Sequence, residues 1–240
     1  MTTPYSGEAG QKQSLGGGVL RDTVYAAHDG IITTFAVVAG VVGADLSAGI
    51  VLVLGIANLI ADGISMGAGN FLGLRSEQAF ITNELKIKEE EIKKNPERER
   101  AKIRAAYREK GFEGDVLERI VHTLCEDKER WAHAMLHETL DLSHPENIRP
   151  LRNASFTFSS FLLAGAVPLI AYFVPQFGDI RFGASIIFTA AALLSVGALR
   201  TIVMRGNVLR NALEILFVGS LAGMAAYAIG FALRAIVHVT

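Results

Sequence analysis

Four residues that can bind metal ions occur at intervals of four in an apolar segment near the N-terminus. They are Asn58, Asp62, Met66 and Asn70. Because residues four apart lie on one face of a helix, the spacing predicts a single stripe of ligands. A carboxylate deep in a bilayer costs about 2.5–3.5 kcal/mol on insertion scales, so it usually faces inward and is functional. Together with Asp29, in a stretch from 29 to 71 without lysine or arginine, the stripe predicts an ion path.

The distribution of charge predicts a membrane protein that carries one charged insert. Half of the 240 residues are hydrophobic, and the mean hydropathy is +0.34. Of the 23 lysines and arginines, 16 lie between Arg75 and Arg152, and so do 17 of the 24 acidic residues. The net charge of −1 gives no indication of nucleic acid, and none is expected as a partner. The single cysteine, Cys125, excludes an internal disulfide and a cysteine zinc cluster.

Five apolar segments are long enough to cross a bilayer, which takes about 20 helical residues. The predicted fold is therefore an all-α membrane protein with five transmembrane helices and a helical cytoplasmic insert between spans 2 and 3. The spans are expected at 22–42, from 47 past 71, at 153–174, 181–204 and 211–237, with the third kinked by Pro168. Residues 1–20 are expected to form a disordered cytoplasmic tail, 21–76 spans 1 and 2, 77–147 the insert, and 148–240 spans 3–5.

Basic residues near the span ends predict the orientation, because cytoplasmic loops carry an excess of lysine and arginine. They place the N-terminus and the insert in the cytoplasm and the C-terminus on the other side. A plasma (inner) membrane, if the chain is bacterial, and a vacuolar-type membrane would have the same topology. The cytoplasmic group comprises Arg21, Arg75, Lys86, Arg152, Arg205 and Arg210.

The charged insert is predicted to form a small helical bundle. The second span is expected to continue to about Lys94, where Asn95 and Pro96 end it and begin a new helix. Apolar residues at intervals of three and four predict two further helices, at 114–125 and 128–140. The dense glutamates fit either a solvated, salt-bridged helix face or a metal site. His133 and His137, four residues apart, are a possible pair of metal ligands.

Three stretches resemble the vacuolar iron transporter family. They are Asp29-Gly30 at the start of an Ala/Val/Gly-rich span, the block ANLIADGISMGAGN at 57–70, and Arg75-Ser76-Glu77. The resemblance covers the chain from about Arg21 to the end. It implies a proton-coupled transporter, not an enzyme, that exports Fe²⁺ and often Mn²⁺ from the cytoplasm without a prosthetic group. It also implies a homodimer in the lipid bilayer, with the pathway between the subunits.

The same resemblance assigns the site residues. Asp29 and Met66 match the family's aspartate and methionine in the first two spans. An acidic ligand is usual where this chain has Asn58, and here the acid lies one turn further on, at Asp62. In the insert, Lys88 and Lys102 stand where glutamates are usual. The remaining candidate ligands of the insert are Glu91, Glu99, Met135, Glu138, His133 and His137.

Other interpretations remain at this point. Glu214 in the fifth span is either a second proton or ion site or a buried hydrogen-bonded acid, and Arg200 is either its partner or extends toward the cytoplasm. The altered insert also leaves open a metal sensor or membrane scaffold that has lost transport. The sequence disfavours a ferritin-like iron oxidase, because its sites need Glu-x-x-His and no histidine here has a glutamate three residues before it.

Overall fold

The chain is all-helical in a computed structural model that describes residues 7–140, 142, 145–204 and 207–237. It divides into two compact units. One, the membrane unit, comprises residues 1–71 and 151–240, and the other, the insert unit, comprises residues 72–150. Five helical segments in the described part of the chain are long and apolar enough to cross a membrane. This confirms the predicted fold class.

The membrane unit contains the long helices α1, Gly7–Gly43, and α2, Ala48–Lys94, of which the latter continues into the insert unit. It also contains α6, α7, α8 and α9, which span Pro150–Gly165, Ile170–Phe173, Arg181–Met204 and Val208–Val237. The third predicted span is interrupted as expected. Between α6 and α7 the chain forms a 3-10 turn at Val167–Leu169, which includes Pro168. A second 3-10 segment, Pro175–Ile180, leads into α8.

Glycines allow the helices of the membrane unit to approach closely. A Cβ on Gly230 of α9 would lie 2.0 Å from the Gly40 carbonyl oxygen of α1, and one on Gly197 of α8 would lie 2.5 Å from the Ala212 Cα of α9. Real Cβ atoms do not come so near to backbone atoms, so a larger residue would force the helices apart. The core beside these contacts is built from large apolar side chains, including Phe35, Val38, Phe161 and Leu169.

The loop between α1 and α2 is joined to α9 by an ion pair. Asp45 has a φ of 60°, and its carboxylate pairs with Arg234 near the C-terminal end of α9. Aspartate is among the residues that tolerate this left-handed conformation. Both side chains remain about half exposed, so the pair adds little free energy.

The insert unit has the predicted order of helices. After α2 come α3, α4 and α5, which span Pro96–Glu109, Gly114–Cys125 and Lys128–Leu140, and then a short 3-10 turn at Pro145–Asn147. Asn95 caps α3 as its position suggests, because its side chain accepts a hydrogen bond from the Arg98 amide at 3.2 Å. The core of the unit is made by Ile92, Ile103, Leu117, Val121, Trp131 and Met135.

The N-terminal region differs in part from the disordered tail expected for residues 1–20. From Gly7 the structure shows helix that continues directly into the first span, and the first six residues lie outside the described part of the chain. The segment contains Glu8, Gln11, Lys12 and Gln13, which are good helix formers, so a helix already formed by the span can extend backward over them.

Candidate functional site

The stripe predicted on α2 is present and is partly buried. Asn58, Asp62, Met66 and Asn70 are each half-buried, whereas their neighbours Ile60 and Ile64 are exposed. The Asn58 side-chain amide donates a hydrogen bond of 2.8 Å to the Asp62 carboxylate, which fixes the orientation of both side chains. Met66 packs against the apolar core one helical turn further on. Along the helix, the stripe therefore presents first an amide, then a carboxylate and then a thioether.

Close packing of α1 on α6 fixes the position of Asp29. The next residue, Gly30, lies so near to α6 that a Cβ would stand 2.5 Å from the Phe161 carbonyl oxygen. Gly165 faces it on α6, and a Cβ there would stand 2.8 Å from the Gly30 carbonyl oxygen. The Asp29 carbonyl accepts a hydrogen bond of 2.9 Å from the Thr33 hydroxyl. Asp29 is thus placed by backbone contacts that leave little room for movement.

Two contacts bring the polar residues of α1 and α2 together. The Asp29 and Asp62 carboxylates are near enough to interact electrostatically. At the end from which α2 continues into the insert unit, the Asn70 amide donates a hydrogen bond of 3.1 Å to the Asp22 carboxylate. The two helices therefore share a polar seam that contains Asp22, Asp29, Asn58, Asp62, Met66 and Asn70.

Glu214 lies on a different part of the membrane unit. Its carboxylate is 3.5 Å from an Arg200 guanidinium nitrogen, so Arg200 is its partner, as one of the two interpretations of the sequence held. Arg200 also interacts electrostatically with His28, and His28 does so with the adjacent Asp29. The His28 Nε2 atom is buried and has no hydrogen-bond partner among the residues that the structure describes. The Glu214 side chain is 56% exposed in the single chain, so its interpretation as a buried acid is wrong. Its role as a proton or ion site stays a prediction.

Each of the three candidate glutamates of the insert lies next to a lysine. Lys88 Nζ lies 2.9 Å from Glu91, and Lys102 Nζ lies 2.8 Å from Glu99 and 4.0 Å from Glu91. Glu138 is likewise 2.5 Å from Lys110. A metal ion would have to displace these ammonium groups, because both would occupy the same carboxylate oxygens.

The remaining insert candidates are not gathered around these glutamates into a larger cluster. Met135 is fully buried in the apolar core, His133 is half-buried and His137 is exposed. Within the part of the chain that the structure describes, no three of the histidine, cysteine and acidic side chains stand together as a metal site would require. The contacts of the insert glutamates therefore match the salt-bridged interpretation of their spacing.

Asp22 and His28 were not among the candidate residues drawn from the sequence. Asp22 was read only as the start of the first span. Its distance of seven residues from Asp29 was a usable signal, because residues seven apart lie on one face of a helix. His28 had no such signal, since its significance depends on the packing of α1 against Arg200 of α8.

Five apolar helices with a polar seam between the first two define a multi-pass membrane protein. The sequence profile of the VIT family matches residues 20–231. The chain is 32% identical to vacuolar iron transporter 1 of Arabidopsis thaliana over 217 residues, which cover 90% of this chain and 87% of the relative. It is also 31% identical to a vacuolar iron transporter of Toxoplasma gondii, over 91% of this chain and 75% of the relative. The chain therefore belongs to the VIT family, whose members are transporters and not enzymes.

Proposed function

We propose that this protein exports divalent iron, and also manganese, from the cytoplasm by exchange for protons. The observation that carries the proposal is the group of donors on α2, where Asn58 is hydrogen-bonded to Asp62 and Met66 lies one turn away, with Asp29 of α1 near enough to Asp62 to interact electrostatically. The iron transport named for the relatives supports the choice of cargo.

The donor groups favour a transition metal over the common hard cations. Carboxylate and amide oxygens bind Mg²⁺, Ca²⁺ and Mn²⁺ well, and a thioether adds affinity for softer ions. Met66 is neutral, so it costs little in an apolar environment, yet it contributes a donor that Ca²⁺ and Mg²⁺ do not use. We therefore expect Fe²⁺ and Mn²⁺ to be preferred over Ca²⁺.

The same two carboxylates account for coupling to protons. Asp29 and Asp62 belong to the same seam, and a carboxylate lone pair that binds a proton is not free to bind a cation. A divalent cation that arrives from the cytoplasm displaces those protons, and protons from the opposite side displace the cation. Exchange follows from competition for two carboxylates and needs no separate proton relay.

A homodimer would complete the coordination. One chain offers two carboxylates, an amide and a thioether along this seam, whereas a cation of this kind takes about six ligands. The face of α2 beside the stripe is exposed in the single chain and is made of small and apolar residues, which suits close helix packing within a membrane. That face includes Ala57, Ile60, Ala61, Ile64, Ser65 and Ala68.

The decisive experiment is metal-dependent flux in proteoliposomes with the lumen acidic. Fe²⁺, Mn²⁺, Zn²⁺ and Ca²⁺ are offered separately, and metal uptake and lumenal pH are followed together. We expect Fe²⁺ and Mn²⁺ uptake with a matching rise in lumenal pH. Asp62→Ala should reduce the flux at least tenfold, because it removes one of the two carboxylates, while the protein remains folded and dimeric. Asp179→Asn, an exposed carboxylate outside the seam, is the matched control.

Three results would count against the proposal. Flux without a change in lumenal pH would remove the proton exchange. Retained flux in Asp62→Ala would remove Asp62 from the pathway. If the folded wild-type protein carries none of the four metals, a metal sensor or membrane scaffold becomes the better description of this chain.

A further inference from the structure

Three donors of the seam are each followed directly by a glycine that lies against α6. Because a glycine has no side chain, its backbone can approach a neighbouring helix closely, and the residue before it is held near that helix. One helix therefore positions donors that belong to two other helices. The three pairs are Asp29-Gly30 on α1, and Asp62-Gly63 and Met66-Gly67 on α2.

The contacts of the two α2 glycines centre on one side chain of α6, Phe158. A Cβ added at Gly63 would lie 3.4 Å from Phe158 Cε2 and 3.2 Å from Leu162 Cδ2. A Cβ added at Gly67 would lie 3.1 Å from Phe158 Cβ and 3.5 Å from the Ala154 carbonyl oxygen, of which the second is an ordinary contact distance. The ring of Phe158 is thus packed on the groove that the two glycines leave on α2, at the level of the two donors that precede them.

The helix α1 lies on the same α6 in a different way. The Cβ position of Gly30 is 2.5 Å from a backbone atom, the Phe161 carbonyl oxygen. Backbone contact fixes the distance of α1 from α6, whereas the size of the Phe158 side chain sets the distance of α2. The separation of Asp29 from the donors of α2 therefore depends on Phe158.

We propose that Phe158 is a positioning residue of the metal site: its ring sets how far Asp62 and Met66 stand from Asp29, and thereby which divalent cation the site prefers. The inference rests on the proposed function for the identity of the site. It adds the feature of the fold that makes the site selective.

The spacing of the donors affects divalent cations unequally. Ca²⁺ accepts a flexible and irregular set of oxygen ligands, so it tolerates a change in the separation of two helices. Mn²⁺ and Fe²⁺ form shorter bonds, and their advantage over Ca²⁺ at this site includes the thioether of Met66. Loss of the correct spacing should therefore weaken the binding of Mn²⁺ more than that of Ca²⁺.

The first test measures this preference by transport. In the proteoliposome assay, Mn²⁺ flux is followed with Ca²⁺ as a competitor, and Phe158→Leu keeps an apolar side chain but removes the ring. We expect the KM for Mn²⁺ to rise roughly tenfold, as when a group that orients metal ligands is lost, while the inhibition constant of Ca²⁺ stays nearly unchanged. Phe156→Leu is the matched control, because this ring on the same helix is 51% exposed, and it should leave both constants as in the wild type.

A second variant separates the spacing of the helices from a general loss of stability. Gly63→Ala places a methyl group near Phe158 Cε2, in the space that Phe158→Leu vacates. Combined with Phe158→Leu, it should restore most of the affinity for Mn²⁺. Alone, it tightens a contact that is already close, so it should raise the KM for Mn²⁺. Two changes that only destabilised the fold would not compensate each other in this way.

The third test measures binding without transport. Mn²⁺ is titrated into the purified protein, the free ion is followed by electron paramagnetic resonance, and Ca²⁺ is then added as a competitor. We expect the wild type to bind Mn²⁺, and the ratio of its affinities for Mn²⁺ and Ca²⁺ to fall roughly tenfold in Phe158→Leu.

Failure of this inference is distinguishable from failure of the proposed function. If the wild type carries no metal but this ratio falls in Phe158→Leu, transport is wrong and the role of Phe158 stands. If Phe158→Leu behaves as Phe156→Leu does, or if the wild type neither binds nor carries Mn²⁺, the role of Phe158 is wrong. An equal weakening of Mn²⁺ and Ca²⁺ that Gly63→Ala does not reverse would also overturn it, because Phe158 would then only hold the helices together.

Discussion

The hydrogen bond from Asn70 to Asp22 fixes how α1 and α2 lie against each other. The two helices are joined by a short loop and run in opposite directions. Asp29 lies seven residues after Asp22 on α1. Gly63, the neighbour of Asp62, lies seven residues before Asn70 on α2. The hydrogen bond at the end of the hairpin therefore agrees with the electrostatic interaction between Asp29 and Asp62 two turns along α1. The position of the carboxylate pair depends on this register.

The contact between Gly30 and α6 should be essential for the position of Asp29. We expect Gly30→Ala to destabilise the membrane unit by about 1–3 kcal/mol, the usual cost of overpacking, because the new Cβ would meet the Phe161 carbonyl oxygen. The Tm in detergent, followed by size-exclusion chromatography after heating, should fall by several degrees, and transport should fall with it.

Gly183→Ala is the matched control for this variant. Gly183 lies in α8 with nothing within 4 Å of its Cβ position, so alanine there should leave the Tm unchanged or raise it. An equal Tm for Gly30→Ala and the wild type would show that α1 and α6 are less tightly packed than the structure indicates.

Lys102 should stabilise the insert unit by neutralising Glu99. Glu99 is 2% exposed, and its carboxylate lies 2.8 Å from Lys102 Nζ. Lys102→Met leaves a charged carboxylate without this partner, which should cost about 1–3 kcal/mol of the free energy of unfolding. The chain has one tryptophan, Trp131, and it is buried in the core of the insert unit, so its fluorescence during urea unfolding reports on this unit.

Two further variants show whether the cost comes from the buried charge. Glu99→Gln combined with Lys102→Met should recover most of the loss, since neither charge then remains. Lys93→Met removes a lysine whose pair with Glu90 is about half exposed, and it should leave the urea midpoint nearly unchanged. If the double variant is no more stable than Lys102→Met, packing of the lysine rather than its charge is responsible.

Much of the fold could be predicted because it depends on local patterns. The end of α2 at Lys94, the cap at Asn95 and the bounds of α4, α5 and α8 follow from periodicity, proline and capping residues. The backward extension of α1 over the N-terminal residues did not follow, because polar and glycine-rich composition pointed to disorder while the span supplied a helix to continue.

The site was predictable only where its residues share one helix. The spacing of Asn58, Asp62 and Met66 predicted the stripe on α2 directly, and the Asn58 and Asp62 side chains are hydrogen-bonded to each other. Interactions between helices, such as the hydrogen bond of Asn70 with Asp22 and the electrostatic interaction of His28 with Arg200, depend on register and packing that the spacing of residues in one sequence does not encode. The pairing of Glu99 with Lys102 could have been predicted from the sequence, because the two residues are three apart on α3.

The insert unit should not be stabilised by metal. Glu91, Glu99 and Glu138 each have an ammonium group within 2.9 Å, so a divalent cation gains little by binding there. A ligand that binds only the folded state raises the free energy of unfolding by about RT ln(1 + [L]/Kd). We expect the urea midpoint from Trp131 fluorescence to stay constant as Mn²⁺ is raised from zero to millimolar concentration.

A rising midpoint would contradict this expectation and would indicate metal binding in the insert. Glu91→Gln and Glu99→Gln would then show whether these carboxylates bind the ion. Mn²⁺ bound by the membrane unit does not change what this fluorescence measures, because Trp131 belongs to the insert unit.

Acid should unfold the insert unit in part through Glu118. Its carboxylate accepts two hydrogen bonds from the Arg104 guanidinium, at 2.8 and 2.9 Å, which link α4 to α3. The bond from Arg104 lowers the pKa of Glu118 below its usual value of 4.5. A carboxylate whose pKa is lower in the folded state stabilises the fold above its unfolded pKa, and this stabilisation is lost as the pH falls through the folded value.

We therefore expect the urea midpoint of the Trp131 transition to fall as the pH is lowered from 6 to about 3. In Glu118→Gln that fall should be shallower, because the group that must be protonated is gone. Glu126→Gln, which changes an exposed glutamate just after α4, should keep the wild-type profile. If Glu118→Gln and the wild type lose stability equally as the pH falls, the two hydrogen bonds from Arg104 to Glu118 do not contribute to the acid sensitivity of this unit. Other carboxylates must then account for it.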